Sequence, residues 1–318
     1  MSEKLFKEIS NYGIVPVIQI NRVEDAIPLA KALIDGGLPV AEVTFRTDCA
    51  EEAIRQMANE FPEMLVGAGT VLTVEQLDLA VAAGTKFIVS PGLNPKIVKY
   101  CQSINIPIIP GTASPSDLEL AIELGLDTVK FFPAEVNGGI NAINAMSAPY
   151  GQLKFMPTGG VNENNLMDYL SSDKILACGG TWMVKSDLID NKQFDTIRDL
   201  TRLAVKKMLD IKLDHVGIKN ADIKNDQDIQ LLKKLLMTEE NVTSEETTVG
   251  EVKFISDIYN DQKGDLAFSC SNVDRAVFHL EKTGVNFDHD TAVYNNGNLK
   301  LIYIKDSVAG YAIHLLRK

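Results

Sequence analysis

The sequence predicts a TIM (β/α)8 barrel followed by a smaller α+β domain. Short apolar segments alternate with helical patterns through the first two thirds of the 318-residue chain. These units recur about every 20 to 26 residues, which leaves room for one helix between neighbouring strands and is typical of parallel βαβ units. Near Met208 the chain becomes richer in Asn, Asp and Lys, so residues 1–209 and 210–318 are predicted to form separate domains.

Eight strands are predicted in the first domain. Each is a short apolar segment that ends at a polar or glycine-containing turn. They span residues 14–18, 40–44, 65–69, 87–90, 106–109, 128–131, 154–156 and 175–178. Eight parallel units of this kind close a barrel.

Two of the intervening helices have clear sequence signals. One carries an apolar stripe and ends at Gly36 and Gly37. Another begins at Ser114, which serves as N-cap, with Pro115 in the first helical position and Asp117 near the positive end of the helix dipole. An extra helix at residues 3–11 is predicted to cover the barrel floor. The apolar stripe consists of Ala26, Leu29, Ala30, Leu33 and Ile34.

Lys130 ends an apolar strand and is followed by two aromatic residues and a proline. Most lysines stay in water, so a lysine in this position needs a reason. Burial penalises the ammonium form and favours the free amine, which can attack a ketone and form a Schiff base. A strand-end lysine that extends its ammonium to solvent is the alternative, and its surroundings decide between the two.

Those surroundings are the carboxyl ends of the strands, where the reactive groups of such barrels collect. Polar residues and glycines follow the predicted strands there and are expected to converge on one mouth. They include Glu42, Thr44 and Arg46 after the second strand, residues 67–70 after the third, 90–92 after the fourth, 110–112 after the fifth, 157–160 after the seventh and 179–182 after the eighth.

In combination, these segments make the chain resemble the class I 2-keto-3-deoxy-6-phosphogluconate (KDPG) aldolases, which often also cleave 4-hydroxy-2-oxoglutarate (KHG). The resemblance spans roughly residues 5–208. The motifs that carry it are Glu-Val-Thr-Phe-Arg-Thr at 42–47, Gly-Ala-Gly-Thr-Val at 67–71, Ser-Pro-Gly at 90–92, Lys-Phe-Phe-Pro-Ala-Glu at 130–135 and Pro-Thr-Gly-Gly at 157–160.

The resemblance implies roles for individual residues. Lys130 would form the imine, and Glu42 would act as the acid/base group that shuttles protons. An ion pair of Glu42 with Arg46 or Lys130 is a compatible alternative for that carboxylate. Arg46, with Thr70 beside it, would bind the substrate carboxylate through paired donors.

The rest of the implied site shapes the pocket and binds the far end of the substrate. Pro91 and Phe132 would line the wall, although Phe132 also fits a plain core role. The loops after the seventh and eighth strands would bind phosphate through backbone N–H groups. The implied phosphate-site residues are Thr158, Gly159, Gly160, Gly180 and Thr181. Relatives usually have serine at the last of these positions, so the hydroxyl is kept here.

No cofactor is expected, and the predicted barrel contains no histidine that could bind a metal or act as a base. A net charge of -12 makes nucleic acid and anionic membranes poor partners. The expected partner is a small 2-keto acid, and the family implies a homotrimer. We predict a cytoplasmic enzyme, because no signal peptide or membrane span is evident. Four scattered cysteines fit idle thiols: Cys49, Cys101, Cys178 and Cys270.

The second domain contains a faint duplication that predicts two βαβββ modules. The first has a strand at 214–218, a helix at 228–237 and strands ending at 252–259; the second has a strand at 265–268, a helix at 274–283 and strands ending at 311–316. This pattern resembles the glyoxalase-like, vicinal-oxygen-chelate fold, whose ligand positions would be His215, Ser256, Asp265 and His314.

Ser256 is a poor metal ligand, so a degenerate, non-catalytic module is favoured. Two alternatives stay open for this domain: a metal-dependent glyoxalase or dioxygenase, and a ligand-binding or oligomerisation module. His279 and His289 are expected to be ordinary surface residues.

Overall fold

The computed structural model describes residues 2–219, 226–243, 246–255 and 259–318. The chain divides into two compact units, Met1–Met208 and Leu209–Lys318. Among the described residues, no helix combines the length and apolar character that crossing a bilayer demands. The four cysteines are free.

The first unit is a parallel eight-stranded sheet in the order β7-β6-β5-β4-β3-β2-β1-β8. Two parallel bridges, Phe155 to Ile175 and Thr158 to Gly179, join its edges and close the ring. All residues of the first six strands are buried, as expected for parallel strands covered by helices. The strands are β1 Ile14–Ile18, β2 Val40–Thr44, β3 Leu65–Gly69, β4 Phe87–Ser90, β5 Ile108–Thr112, β6 Thr128–Phe131, β7 Lys154–Pro157 and β8 Cys178–Gly180. The predicted barrel is confirmed.

Two strands lie further along the chain than predicted. The backbone N–H of Ile106 donates to Cys101 O in the turn that ends a helix, so β5 begins only at Ile108. The N–H of Ile175 likewise donates to Ser172 O, and β8 begins at Cys178. Both strands extend into segments that the sequence suggested were turns, because a parallel ladder needs only the backbone. The seventh strand is one residue longer than predicted.

The helices surround this sheet. They are α1 Ser2–Tyr12, α2 Ala26–Asp35, α3 Ala50–Glu60, α4 Val74–Ala82, α5 Pro95–Ser103, α6 Pro115–Glu123, α7 Gly139–Ser147, α8 Leu166–Leu170, α9 Ser186–Asp190 and α10 Phe194–Leu209. The predicted end of α2 is confirmed, since Gly37 adopts a positive φ of 91° just beyond it. Ser114 caps α6 in a reciprocal capping box with Asp117. Residues of α1 line cavities with the amino-end residues of β3, β5 and β6, so this helix covers the barrel floor.

The second unit is a mixed eight-stranded sheet in the order β10-β11-β12-β9-β13-β16-β15-β14. Its elements are β9 Lys212–Lys219, α11 Asp226–Leu236, β10 Glu240–Val242, β11 Glu246–Val249, β12 Val252–Ile255, β13 Gly264–Cys270, α12 Val273–Glu281, β14 Phe287–Asn295, β15 Asn298–Val308 and β16 Tyr311–Arg317. The order along the chain is βαβββ twice. The central strands β9 and β13 are antiparallel, and each has a parallel outer neighbour.

Three details of this unit differ from expectation or cannot be compared. Tyr259 lies in a short 3-10 turn, and the described part of its predicted strand ends at Ile255. Ser256 lies outside the described residues. The prediction that His279 is a surface residue is wrong: it is buried on α12 at a three-residue spacing from Ala276 and Val273, which places all three on the packed face.

Candidate active site

Lys130 and Glu42 meet inside the barrel. They lie on β6 and β2, which occupy opposite sides of the eight-stranded ring. Lys130 Nζ lies 3.1 Å from Glu42 Oε1 and donates a hydrogen bond to it. Only 6% of the lysine side chain and 1% of the glutamate side chain are exposed. A lysine that extends into solvent is therefore not what the structure contains.

The ion pair of Lys130 and Glu42 allows a proton to move between the two side chains. Proton transfer from Lys130 Nζ to the carboxylate would leave a free amine, the form that attacks a carbonyl. Glu42 Oε2 is buried and has no hydrogen-bond partner among the described residues. Burying an unpaired acceptor costs about 1–3 kcal/mol, so its retention indicates a use for that oxygen. It is free to exchange a proton with a substrate hydroxyl or a water molecule.

Gly69, at the end of β3, gives the Glu42 side chain its space. A β-carbon at position 69 would overlap the carboxylate of Glu42. Gly111 on β5 has a similar role, because a β-carbon there would overlap the backbone carbonyl of Pro91. The two glycines therefore allow the Glu42 side chain and the loop after β4 to lie close to neighbouring strands.

Aromatic and hydroxyl groups complete the surroundings of Lys130. The ring centroid of Phe132 lies 5.2 Å from Lys130 Nζ, within cation–π range. The hydroxyl of Thr112 donates to the backbone carbonyl of Lys130 at 3.0 Å, which fixes β5 against β6. Thr70 has a positive φ of 56°, a conformation uncommon for threonine, at the carboxyl end of β3.

A cavity of about 260 Å³ opens at the carboxyl ends of β1 and β2 and the loop after β8. Arg46 and Thr181 both line this cavity, although the family resemblance implies that they bind opposite ends of the substrate. Lys185 lines the same cavity. In the described parts of the chain, no carboxylate lies within ion-pair distance of Arg46 or Lys185. The remaining lining residues are Val17, Ile18, Gln19, Thr44, Val184 and Ser186.

The predicted phosphate-site residues lie at the carboxyl ends of β7 and β8: Thr158, Gly159 and Gly160 follow β7, and Gly180 and Thr181 lie at the end of β8 and directly after it. Thr158 is buried, and its hydroxyl oxygen has no hydrogen-bond partner in the described structure. Gly159 and Gly160 have positive φ values of 93° and 86°. At Gly180, however, a β-carbon would overlap the ring of Trp182, so glycine there also has a packing reason.

The family model of KDPG and KHG aldolases matches residues 6–200, more than half of the chain. This chain belongs to the KDPG and KHG aldolase family. The aldehyde-lyase class predicted from its motifs is thereby confirmed.

Curated relatives of this aldolase are similar over the barrel. The 2-dehydro-3-deoxy-phosphogluconate aldolase of Haemophilus influenzae is 47% identical over 201 residues, which are 63% of this chain and 95% of the relative. The KHG/KDPG aldolase of Escherichia coli is 46% identical over 61% of this chain and 91% of its own.

Solved structures are similar over the same region. The KDPG aldolase of Legionella pneumophila, with pyruvate captured as a covalent carbinolamine, is 40% identical with a TM-score of 0.61; it covers 63% of this chain and 97% of its own. The Zymomonas mobilis ZM4 aldolase with 3-phosphoglycerate is 41% identical with a TM-score of 0.59, covering 63% and 94%.

Sequence reasoning missed Lys185, Gln19 and Ser186 around the cavity of this aldolase. None of the three lies in a motif, and only the fold brings them to Arg46. A signal was nevertheless present, because Lys185 stands four residues after Thr181 in the loop already assigned to anion binding.

In the second unit, the fold brings together His215, Asp265 and His314. His215 on β9 and His314 on β16 both pair with Ala267 of β13, and Asp265 lies two residues away on the same face. One ligand atom from each residue lies within 4.8 Å of the others, and all three side chains are buried. The small side chain of Ala267 leaves room between them.

Burial and hydrogen bonding set the charge and the orientation of these side chains. Burial, aided by neighbouring His215 and opposed by Asp265, lowers the pKa of His314 to about 4, so its imidazole is neutral at pH 7. His215 Nδ1 lies 2.8 Å from Asp214 Oδ2, which orients the ring. Asp265 Oδ1 and His314 Nδ1 are buried without hydrogen-bond partners among the described residues, and His314 Nδ1 lies 3.5 Å from the other carboxylate oxygen, Asp265 Oδ2.

Proposed function

We propose that the barrel is a Schiff-base aldolase that cleaves KDPG to pyruvate and glyceraldehyde 3-phosphate, KHG to pyruvate and glyoxylate, or both. The observation that carries this proposal is the buried contact between Lys130 and Glu42 at the carboxyl side of the barrel. Family membership supports the reaction class.

Carbon–nitrogen bond formation begins the reaction. The free amine of Lys130 attacks the C2 carbonyl carbon of the substrate and forms a carbinolamine. Glu42 then donates a proton to the departing hydroxyl group, and loss of water gives the iminium ion. The nearby carboxylate stabilises this cation, since it already lies 3.1 Å from the nitrogen.

Carbon–carbon cleavage follows from the iminium ion. Glu42 removes the proton of the C4 hydroxyl, directly or through water, and the C3–C4 bond breaks. Its electron pair moves to the iminium nitrogen and gives an enamine, while C4 leaves as an aldehyde. Protonation of C3 and hydrolysis then release pyruvate and restore Lys130.

The other residues hold the substrate. Arg46 and Thr70 would bind the carboxylate next to the keto group, because a guanidinium matches two oxygens. Pro91 and Phe132 would form the pocket wall. Thr158, Gly159, Gly160, Gly180 and Thr181 would bind the far end of the substrate.

Borohydride trapping tests the imine directly. We expect pyruvate and borohydride together to add one reduced pyruvyl group to the peptide that contains Lys130. Reactions without pyruvate and without borohydride are the controls, and peptide mass mapping locates the adduct. An unmodified Lys130 in folded protein would contradict the proposal.

The proposal extends to assembly as a homotrimer, which the family resemblance implies, and to a cytoplasmic location. Light scattering of the full chain measures the assembly: a mass about three times the chain mass of 34.8 kDa is expected.

A second proposal concerns the C-terminal unit, which we propose binds one divalent transition-metal ion through His215, Asp265 and His314. Two imidazoles and one carboxylate suit Zn²⁺, Fe²⁺, Mn²⁺ or Co²⁺. Such an ion would act as a Lewis acid when bound. The orphaned oxygen of Asp265 and nitrogen of His314 fit this use, and the ligands would tie β9, β13 and β16 together.

Metal analysis of the full chain tests this second proposal. After chelator treatment, we expect Zn²⁺ to bind at about one ion per chain and to raise the melting temperature. His314→Gln should weaken binding by more than the 10- to 100-fold typical of outer-shell changes. His289→Gln is the matched control, because His289 is exposed and contacts Glu281 instead. Equal Zn²⁺ binding by the two variants would refute the assignment.

A further inference from the structure

The cavity at the mouth of the barrel carries more positive charge than the predicted site accounts for. Arg46 and Lys185 both line it, together with the hydroxyl-bearing residues Thr181 and Ser186. Neither cation has a carboxylate within 4 Å in the described structure. Both side chains are exposed, so the guanidinium and the ammonium can reach a ligand in the cavity.

The Lys185 side chain is available to bind a ligand. It occupies the N-cap position of α9, directly before Ser186, which lines the same cavity. Within the described structure, its ammonium makes no side-chain hydrogen bond or ion pair, which leaves it free to bind a ligand.

The substrate supplies two anionic groups, one next to the keto carbon and one at the far end. In the proposed function, Arg46 binds the carboxylate next to the keto carbon. We infer that Lys185, with Thr181 beside it, binds the far anionic group and favours phosphate over carboxylate at that end. The inference rests on the proposed aldolase function and adds the residue that sets its substrate preference.

The expected preference for phosphate over carboxylate follows from the charges of the two groups. A phosphate monoester carries about -1.5 to -2 at pH 7, whereas the far carboxylate of KHG carries -1. A lysine ammonium acts as a compact point charge toward phosphate and gains more from the higher charge. Lys185 therefore contributes more to binding KDPG than to binding KHG.

Steady-state kinetics with both substrates test the inference on the full chain. For Lys185→Ala we expect KM for KDPG to rise about 10- to 100-fold, as for a lost charge-assisted hydrogen bond, with kcat little changed. KM for KHG should rise about threefold or less, and Lys185→Arg should restore most of the KDPG affinity. Lys99→Ala, on the outer helix α5, is the matched control for loss of one positive charge.

Pyruvate trapping tests the aldolase function separately from the role of Lys185, because pyruvate has no far anionic group. Trapping on Lys130 should be the same in Lys185→Ala and in the unaltered protein. If trapping is intact but KM for KDPG is unchanged, or rises equally for both substrates, the role of Lys185 is wrong. If the unaltered protein gives no adduct, the aldolase proposal itself fails.

Discussion

Lys130→Met is expected to abolish aldol cleavage of both KDPG and KHG. Methionine has a similar length but no amine, so neither the carbinolamine nor the iminium ion can form. Borohydride and pyruvate should leave no adduct on the variant. Cleavage assays with coupled detection of pyruvate, together with mass mapping, measure both effects.

Loss of activity in this variant must be separated from loss of fold. Removing Lys130 leaves the Glu42 carboxylate buried without its partner, which costs about 3–5 kcal/mol in typical proteins. The double variant Lys130→Met/Glu42→Gln removes that charge and should recover part of the melting temperature without recovering activity. Measurable cleavage by a folded Lys130→Met protein would eliminate the imine mechanism.

Glu42→Gln is expected to slow cleavage about 10²- to 10⁴-fold, the range for loss of a general acid–base group. Glutamine keeps the shape and can still accept a hydrogen bond from Lys130 Nζ, but it cannot exchange protons. Pyruvate trapping on Lys130 should also become slower, because Glu42 is proposed to protonate the departing hydroxyl group of the carbinolamine, but the adduct should still accumulate over a longer incubation. Comparing the trapping yield with kcat distinguishes proton transfer from amine positioning.

Glu60→Gln is a suitable control for this variant, since Glu60 is exposed at the end of α3. It should leave kcat within about twofold, as expected of a surface change away from the site. Unaltered turnover in Glu42→Gln would remove that glutamate from the mechanism.

Much of the barrel could be predicted because each local signal agreed with the fold. Ser114 and Asp117 form the expected capping box, and Gly37 adopts the expected left-handed conformation. The starts of β5 and β8 could not be predicted, since they depend on which acceptor receives the N–H groups of Ile106 and Ile175. The hydrophobic periodicity of the sequence does not show which acceptor each N–H group takes.

Some residues of the candidate site could likewise be predicted from the sequence, and others could not. Motifs identified Lys130 and Glu42, and the fold places them in contact. Lys185 escaped prediction because its relation to Arg46 exists only in three dimensions. The burial of His279 could have been predicted, since its three-residue spacing from Ala276 and Val273 marks the packed face of α12.

The cluster of His215, Asp265 and His314 depends on both repeats of the C-terminal unit. His215 lies in the first βαβββ repeat, whereas Asp265 and His314 lie in the second. Neither repeat carries the whole set, so the cluster exists only when both repeats fold into one sheet. Any evolutionary loss of one repeat would therefore remove the cluster along with half of the sheet.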